Sequence, residues 1–256
     1  MTTGQTYEDL GLDLAVGSQH YRAFIGPAQD YDLVSAMTFG LLTTLGLRQH
    51  HSLLDIGCGS LRIGRLLIPY LNKGKYVGIE PNEWLVQEGI AREVGEDQIR
   101  IKEPEFLYAD SAANLDDGVV FDFAVAQSIF SHCGGDLVEQ WLKEVSGHLS
   151  PSGALVATFI GGVVDFVGSG WVYPHCVSFR LETMLEMSMR AGLRFRLLDW
   201  RHPRQHWALF AAPGFDDSWL AEKTPSWNTA VDSGVWNTRP PVDLLSGLGI
   251  KYSPGL

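Results

Sequence analysis

The chain has 256 residues and a formal net charge of −11, long enough for one domain with a large core. The acidic balance argues against a protein that grips nucleic acid by its backbone, which needs a basic surface. No apolar run approaches the roughly 20 residues of a membrane span, and Met1-Thr2-Thr3-Gly4-Gln5 lacks the basic and apolar regions of a signal peptide, so a cytoplasmic protein is expected.

Residues 1–16 read as a loose acidic lead, and apolar spacing from Leu33 to Leu45 predicts a helix over 31–46. Ser52–Ile56 is the first predicted strand. It breaks into the turn Gly57-Cys58-Gly59 and a helix from Ser60 to Leu71. A second strand, Tyr76–Glu80, precedes Pro81 and a helix from about Asn82 to Val94. Strands follow at Glu105–Ala109 and Phe121–Ala126, then a helix from about Asp136 to Leu149 and a strand at Ala154–Ile160. A helix from Phe179 to Ala191 leads to two last strands, Phe195–Trp200 and His206–Ala212. Alternating strands and helices predict an α/β fold, a doubly wound, seven-stranded, mostly parallel sheet. The short link Arg201-His202-Pro203-Arg204-Gln205 cannot hold a crossover, so the last strand is predicted antiparallel.

Residues 1–48 are read as a helical segment belonging to the main domain, 49–212 as that Rossmann-like domain, and 213–256 as an irregular tail packed on it. The tail carries Trp219, Trp227 and Trp236. They are read as wrapping it on the body, with a lid or a homodimer contact as the alternative. Cys58, Cys133 and Cys176 are widely spaced and lack zinc-ligand spacing, which suits three semi-buried thiols in a reducing compartment. His202 and His206 are four apart, but Pro203 sets them on a turn and no third ligand is evident, so no metal is expected.

The glycine turn alone is a weak signal. A dinucleotide fingerprint wants glycine or alanine at its sixth position, where Arg62 stands, and no phosphate-loop Gly-Lys-Ser/Thr is present. Acids, however, recur at successive strand ends. Asp55 precedes the glycines, Glu80 ends the second strand about 20 residues on, and Asp110 follows the third.

Asp-Ile-Gly-Cys-Gly at 55–59, Gly-Ile-Glu-Pro-Asn at 78–82, Tyr-Ala-Asp-Ser at 108–111 and Ala126-Gln127-Ser128-Ile129-Phe130-Ser131-His132 together resemble the class I S-adenosylmethionine-dependent methyltransferases, over roughly residues 50–212. The variant Gly-Cys-Gly-Ser-Leu-Arg in the first motif resembles a subset of that family. The resemblance implies S-adenosyl-L-methionine as cofactor. It implies that Gly57 and Gly59 let the backbone approach the ligand, with Asp55 near its ammonium and sulfonium end. Glu80, beside Pro81, would take the ribose hydroxyls, Asp110 and the Ser111 backbone the adenine, and Gln127 and Ser128 the methionyl end. Leu61 replaces a common third glycine and would narrow that end, while Arg62 reaches a carboxylate or pairs with a surface acid. The helix opening at Ser60 would offer amides to the cofactor's carboxylate, and Tyr21 and Arg22 are candidates to fold over it.

Ligands of open α/β sheets sit beyond the carboxyl ends of the strands. That edge receives His132 after strand four, and Asp165, Phe166, Trp171, Tyr173 and His175 from a long loop. A hydroxyl acceptor needs a base, and His132 is the first candidate, with His175 and Asp165 as alternatives. The aromatic loop favours a small-molecule acceptor. O-methylation of a sugar or natural-product hydroxyl is expected, with N-methylation of a small molecule or protein side chain, or a non-catalytic S-adenosylmethionine-binding module, as alternatives.

Overall fold

The computed structural model describes residues 10–222. Helix α1 (Tyr31–Thr44) precedes β1 (Leu53–Ile56), α2 (Gly64–Tyr70), β2 (Tyr76–Ile79), α3 (Glu83–Gly89), α4 (Glu96–Lys102) and β3 (Glu105–Leu107). Then come β4 (Phe121–Ala126), α5 (Gly135–His148), β5 (Leu149–Phe159), α6 (Leu181–Arg190), β6 (Arg194–Leu198), β7 (His206–Ala211) and the short α7 (Trp219–Glu222). The seven strands form one sheet in the order β3-β2-β1-β4-β5-β7-β6. Pairings from β3 through β5 are parallel, and β7 runs antiparallel to both β5 and β6.

Side-chain alternation explains how the sheet holds helices on both faces. Leu54, Ile56, Ala124, Ala126, Leu155 and Ala157 enter one core, with Val138, Trp141, Leu142 and Val145 of α5. The α5 positions recur at helical spacing, so that helix buries a single stripe. Leu53, Phe123, Val125, Val156 and Trp207 point the other way, into a core shared with α1 and α2.

Three helices differ from the sequence expectation. Helix α2 starts at Gly64, not Ser60, because Leu61 sits in the left-handed region at φ 58° and breaks the helical path. The helix expected through Val94 is regular only to Gly89 and ends in a π turn, Ile90–Val94. Helix α4 was not expected at all. None of its residues is buried, so it has no apolar stripe for periodicity to reveal. Strand β5 also begins earlier, with Leu149 pairing to Phe121 before a shift in register.

Beyond β7, Phe215 and Leu220 are buried, and Asp217 binds Arg194 and Arg196 on β6. Trp227 and Trp236 lie outside the described residues. No helix among the described residues is long and apolar enough to cross a membrane.

Candidate active site

A cavity of about 640 Å³ opens beyond the carboxyl ends of β1, β2 and β4. Strand order reverses between β1 and β4, the place where open α/β sheets leave a crevice. The sheet supplies Asp55, the 57–59 turn, Arg62, Glu80, Pro81, Asn82, Asp110, Gln127, Ser128 and His132 to its lining. Phe24 and Ile25 cover it from the N-terminal segment, and Trp171 and Tyr173 from the loop between β5 and α6.

Two glycines take left-handed dihedrals and pack closely against neighbouring side chains. Gly57 has φ 65°, and a Cβ there would lie 2.2 Å from Ile129 Cδ1. Gly59 has φ 53°, and its Cβ would lie 3.0 Å from Ile25 Cγ2. Leu61 does not narrow the cavity. Its side chain is fully buried under the turn, in the core shared with α2.

The acids stand as the strand ends dictate. Asp55 is buried and accepts a hydrogen bond from the Tyr76 hydroxyl at 2.7 Å, and burial pushes its carboxyl up to about 7. Glu80 accepts from the Gly59 amide at 3.1 Å, the Asn82 amide at 2.9 Å and the Asn82 side chain at 2.7 Å. Burial raises its pKa, and these donors oppose the rise. Asp110 lines the cavity. Helix α5 is fixed beside it, because Glu144 accepts from the Ser111 hydroxyl and the Ala112 amide, both at 2.9 Å. That places Leu137 and Trp141 as an apolar wall near Asp110, while the Ser111 side chain caps a turn and does not face the cavity.

Arg62 is the only Lys or Arg among the described lining residues and is 6% exposed. One amino group donates to the Gln127 side-chain oxygen, and the Nε has no hydrogen-bond partner among the described residues. Burial lowers its pKa to about 10, so it remains a cation at neutral pH. Gln127 also donates to Ser128 Oγ at 2.5 Å and meets His202 at 3.2 Å. Ser128 takes a left-handed φ of 62°, held by its amide donating to Thr158 Oγ1 at 2.7 Å.

His132 is buried. Its Nδ1 lies 2.7 Å from the His175 carbonyl. A carbonyl can only accept, so the proton sits on Nδ1 and Nε2 is left as the basic nitrogen. Burial holds the imidazole below its usual range, which keeps it neutral near pH 7.

The other candidates lie elsewhere. His175 contributes its carbonyl, while its side chain is exposed. Asp165 is not brought to the cavity. It accepts from the Arg180 amide at 2.7 Å, the Thr183 hydroxyl at 2.8 Å and Arg180 Nε at 2.9 Å, and so secures the start of α6. Asp165→Asn is expected to cost about 0.5–1 kcal/mol of stability in a denaturant titration with turnover unchanged. Tyr21 and Arg22 turn away toward Glu93, which Arg22 meets at 2.6 Å, and Arg65 joins at 3.0 Å. That buried clasp presents Phe24 and Ile25 to the cavity instead. The two were readable only as an apolar pair inside a polar lead. Asn82 ends the Gly-Ile-Glu-Pro-Asn motif, where its place before α3 reads as a helix start. His202 Nδ1 accepts from the Arg204 and Gln205 amides, and His206 Nδ1 from the Gly161 amide. No group of three or more His, Cys, Asp or Glu among the described residues is arranged to hold a metal ion.

Residues 54–155 match a family model described as a methyltransferase domain. Over that stretch the chain is similar to methyltransferase domains. Solved methyltransferases share its fold. One is a magnesium protoporphyrin IX methyltransferase from Synechocystis PCC 6803 with bound S-adenosylhomocysteine, at TM-score 0.55 and 13% identity, covering 72% of this chain and 83% of that one. Another is an S-adenosylmethionine-dependent methyltransferase from Clostridium acetobutylicum ATCC 824, at TM-score 0.51 and 16% identity, covering 71% and 90%. A third is a sugar N-methyltransferase from Streptoalloteichus sp. ATCC 53650, at TM-score 0.51 and 16% identity, covering 72% and 88%. At these identities the likeness establishes the fold. The matched stretch spans the strands and turns that build the cavity floor, from β1 into β5.

Proposed function

We propose that the protein transfers a methyl group from S-adenosylmethionine to the hydroxyl of a small molecule, a sugar or natural product, with His132 as base. The observation that carries this reading is the order of charges along one cavity: three acids at successive strand ends, one buried guanidinium, and one neutral histidine beyond them. The residues present fit that cofactor. The orphaned Nε of Arg62 calls for an anion such as the methionyl carboxylate. Bound there, the cofactor supplies an electrophilic methyl on a sulfonium.

The chain's own residues do the rest. Asp55 faces the cationic end, and Asp110 with the Leu137–Trp141 wall receives the adenine. Glu80 holds the ribose. A carboxylate has about four acceptor sites, and protein donors occupy three of them here. One ribose hydroxyl is therefore accepted outright and the second by displacing the Asn82 side chain. His132 Nε2 takes the acceptor's proton, and the covers at 24–25 and 171–173 keep acceptor and methyl in line, from which much of the rate arises.

Calorimetry at several pH values tests the reading. Asp55 is half protonated near pH 7 without ligand. A neighbouring cation favours its carboxylate, so below pH 7 binding must expel a proton. Cofactor affinity is expected to fall by up to about tenfold per pH unit below 7 and to level off above it. No binding of S-adenosylmethionine, with tight binding of a nicotinamide dinucleotide, would overturn the proposal.

A further inference from the structure

We infer that the acceptor is an uncharged planar aromatic compound with a ring hydroxyl, stacked on the Trp171–Tyr173 wall with its oxygen at His132. The inference rests on the methyl-transfer reading above and narrows its acceptor class.

The wall is built, not incidental. The loop carrying it is stitched to the His132 turn by backbone bonds from Val172 to the His132 carbonyl at 2.9 Å, Gly134 to the Gly170 carbonyl at 2.8 Å and Val177 to the Ser131 carbonyl at 2.8 Å. The His132 bond to the His175 carbonyl adds a fourth tie. Trp171 and Tyr173 are nearly parallel, at 23° with centroids 6.1 Å apart, and both contact the His132 ring, at 5.7 and 4.9 Å. The Tyr173 hydroxyl donates to the Phe24 carbonyl, which locks this wall to the N-terminal cover. Yet Trp171 remains 53% exposed. A rigid, half-bare indole beside a basic nitrogen is surface suited to a flat apolar ligand.

The polar inventory selects between flat rings and sugars. The lining from the His132 turn and the covering loop is Ile129, His132, Gly170, Trp171 and Tyr173, with no carboxylate, amide or cation among them. Gln127 and Ser128 nearby are already engaged with Arg62, Thr158 and Gln205. A sugar would bury several hydroxyls there without partners. His132, held below its usual range, is also a weak base. It suits an acidic hydroxyl, such as a phenol near pKa ~10, better than an aliphatic alcohol. In the step, the ring oxygen forms a bond to the methyl carbon while the carbon–sulfur bond breaks. The sulfur keeps that electron pair as a neutral thioether, and the hydroxyl proton passes to His132 Nε2.

The test uses the full chain with S-adenosylhomocysteine bound. Monohydroxylated phenols and naphthols, and methyl glycosides of matched size, are titrated by tryptophan fluorescence and ligand-observed NMR. Mass spectrometry then reads products formed with methyl-labelled S-adenosylmethionine. Phenols are expected to saturate and to gain one methyl, and glycosides to do neither. Trp171→Ala, at an exposed position that folding tolerates, is expected to raise the phenol KM about tenfold with S-adenosylhomocysteine affinity unchanged. Saturation by glycosides and not phenols, no saturation by any phenol, or an unmoved phenol KM in Trp171→Ala overturns the inference. Failure of S-adenosylhomocysteine to bind overturns the methyl-transfer reading instead.

Discussion

Replacing His132 by glutamine is expected to lower turnover by about 10²–10⁴-fold while leaving cofactor affinity unchanged. A glutamine amide can still donate to the His175 carbonyl that His132 holds at 2.7 Å, so the loop stays tied. What it lacks is a nitrogen able to take a proton. The pH profile separates this from a packing defect. Burial keeps the His132 pKa under its ordinary 6.5, so the native kcat, read at saturating S-adenosylmethionine where the Asp55 carboxylate is already ionised, should hold at neutral pH and fall only as pH drops below that value. In His132→Gln the acid limb should vanish along with most of the rate. Steady-state kinetics that retain both would reduce His132 to a wall of the cavity.

Glu80→Ala is expected to weaken S-adenosylmethionine binding by about 1.5–3 kcal/mol, the loss of hydrogen bonds to a charged group. Part of the loss is indirect. Glu80 also orders the Gly59 amide and Asn82, so alanine frees the glycine turn as well as the ribose site. Glu80→Gln divides the two effects. It keeps one carbonyl oxygen for the turn but lacks the full carboxylate, and its affinity by calorimetry should fall between native and alanine. An unchanged affinity in Glu80→Ala would refute the ribose role.

The acids were legible because strand ends are. In a parallel sheet covered on both faces, strands read as apolar runs, and the first polar residue past each run must emerge at the same edge. Hence Asp55, Glu80 and Asp110 could be placed together from spacing, and the structure lines one cavity with all three. Arg62 was legible as a mismatch to a dinucleotide turn and, through the family resemblance, as a residue that reaches a carboxylate or pairs with a surface acid. Its burial beside Gln127, without a carboxylate ion pair among the described residues, depends on the N-terminal segment folding back to close the space above it. Tyr21 and Arg22, candidates to fold over the cofactor, are polar side chains. That polarity is spent on Glu93, seventy residues on, a pairing no local pattern announces.

Local chemistry therefore determined the sheet, its reversal of direction at the last strand, and the acidic edge, because each follows from side-chain period, turn length and chain connectivity. The tertiary structure alone decided what covers that edge. Leu61 breaks the helix and leaves the cavity to Arg62 because a left-handed φ, not residue type, sets which side chain points inward. Phe24, Ile25, Trp171 and Tyr173 reach the site on irregular segments, and Asp165, on the same loop as Trp171, is drawn off to α6. Segments without a repeating period are positioned by long-range bonds, and those exist only once the chain has folded.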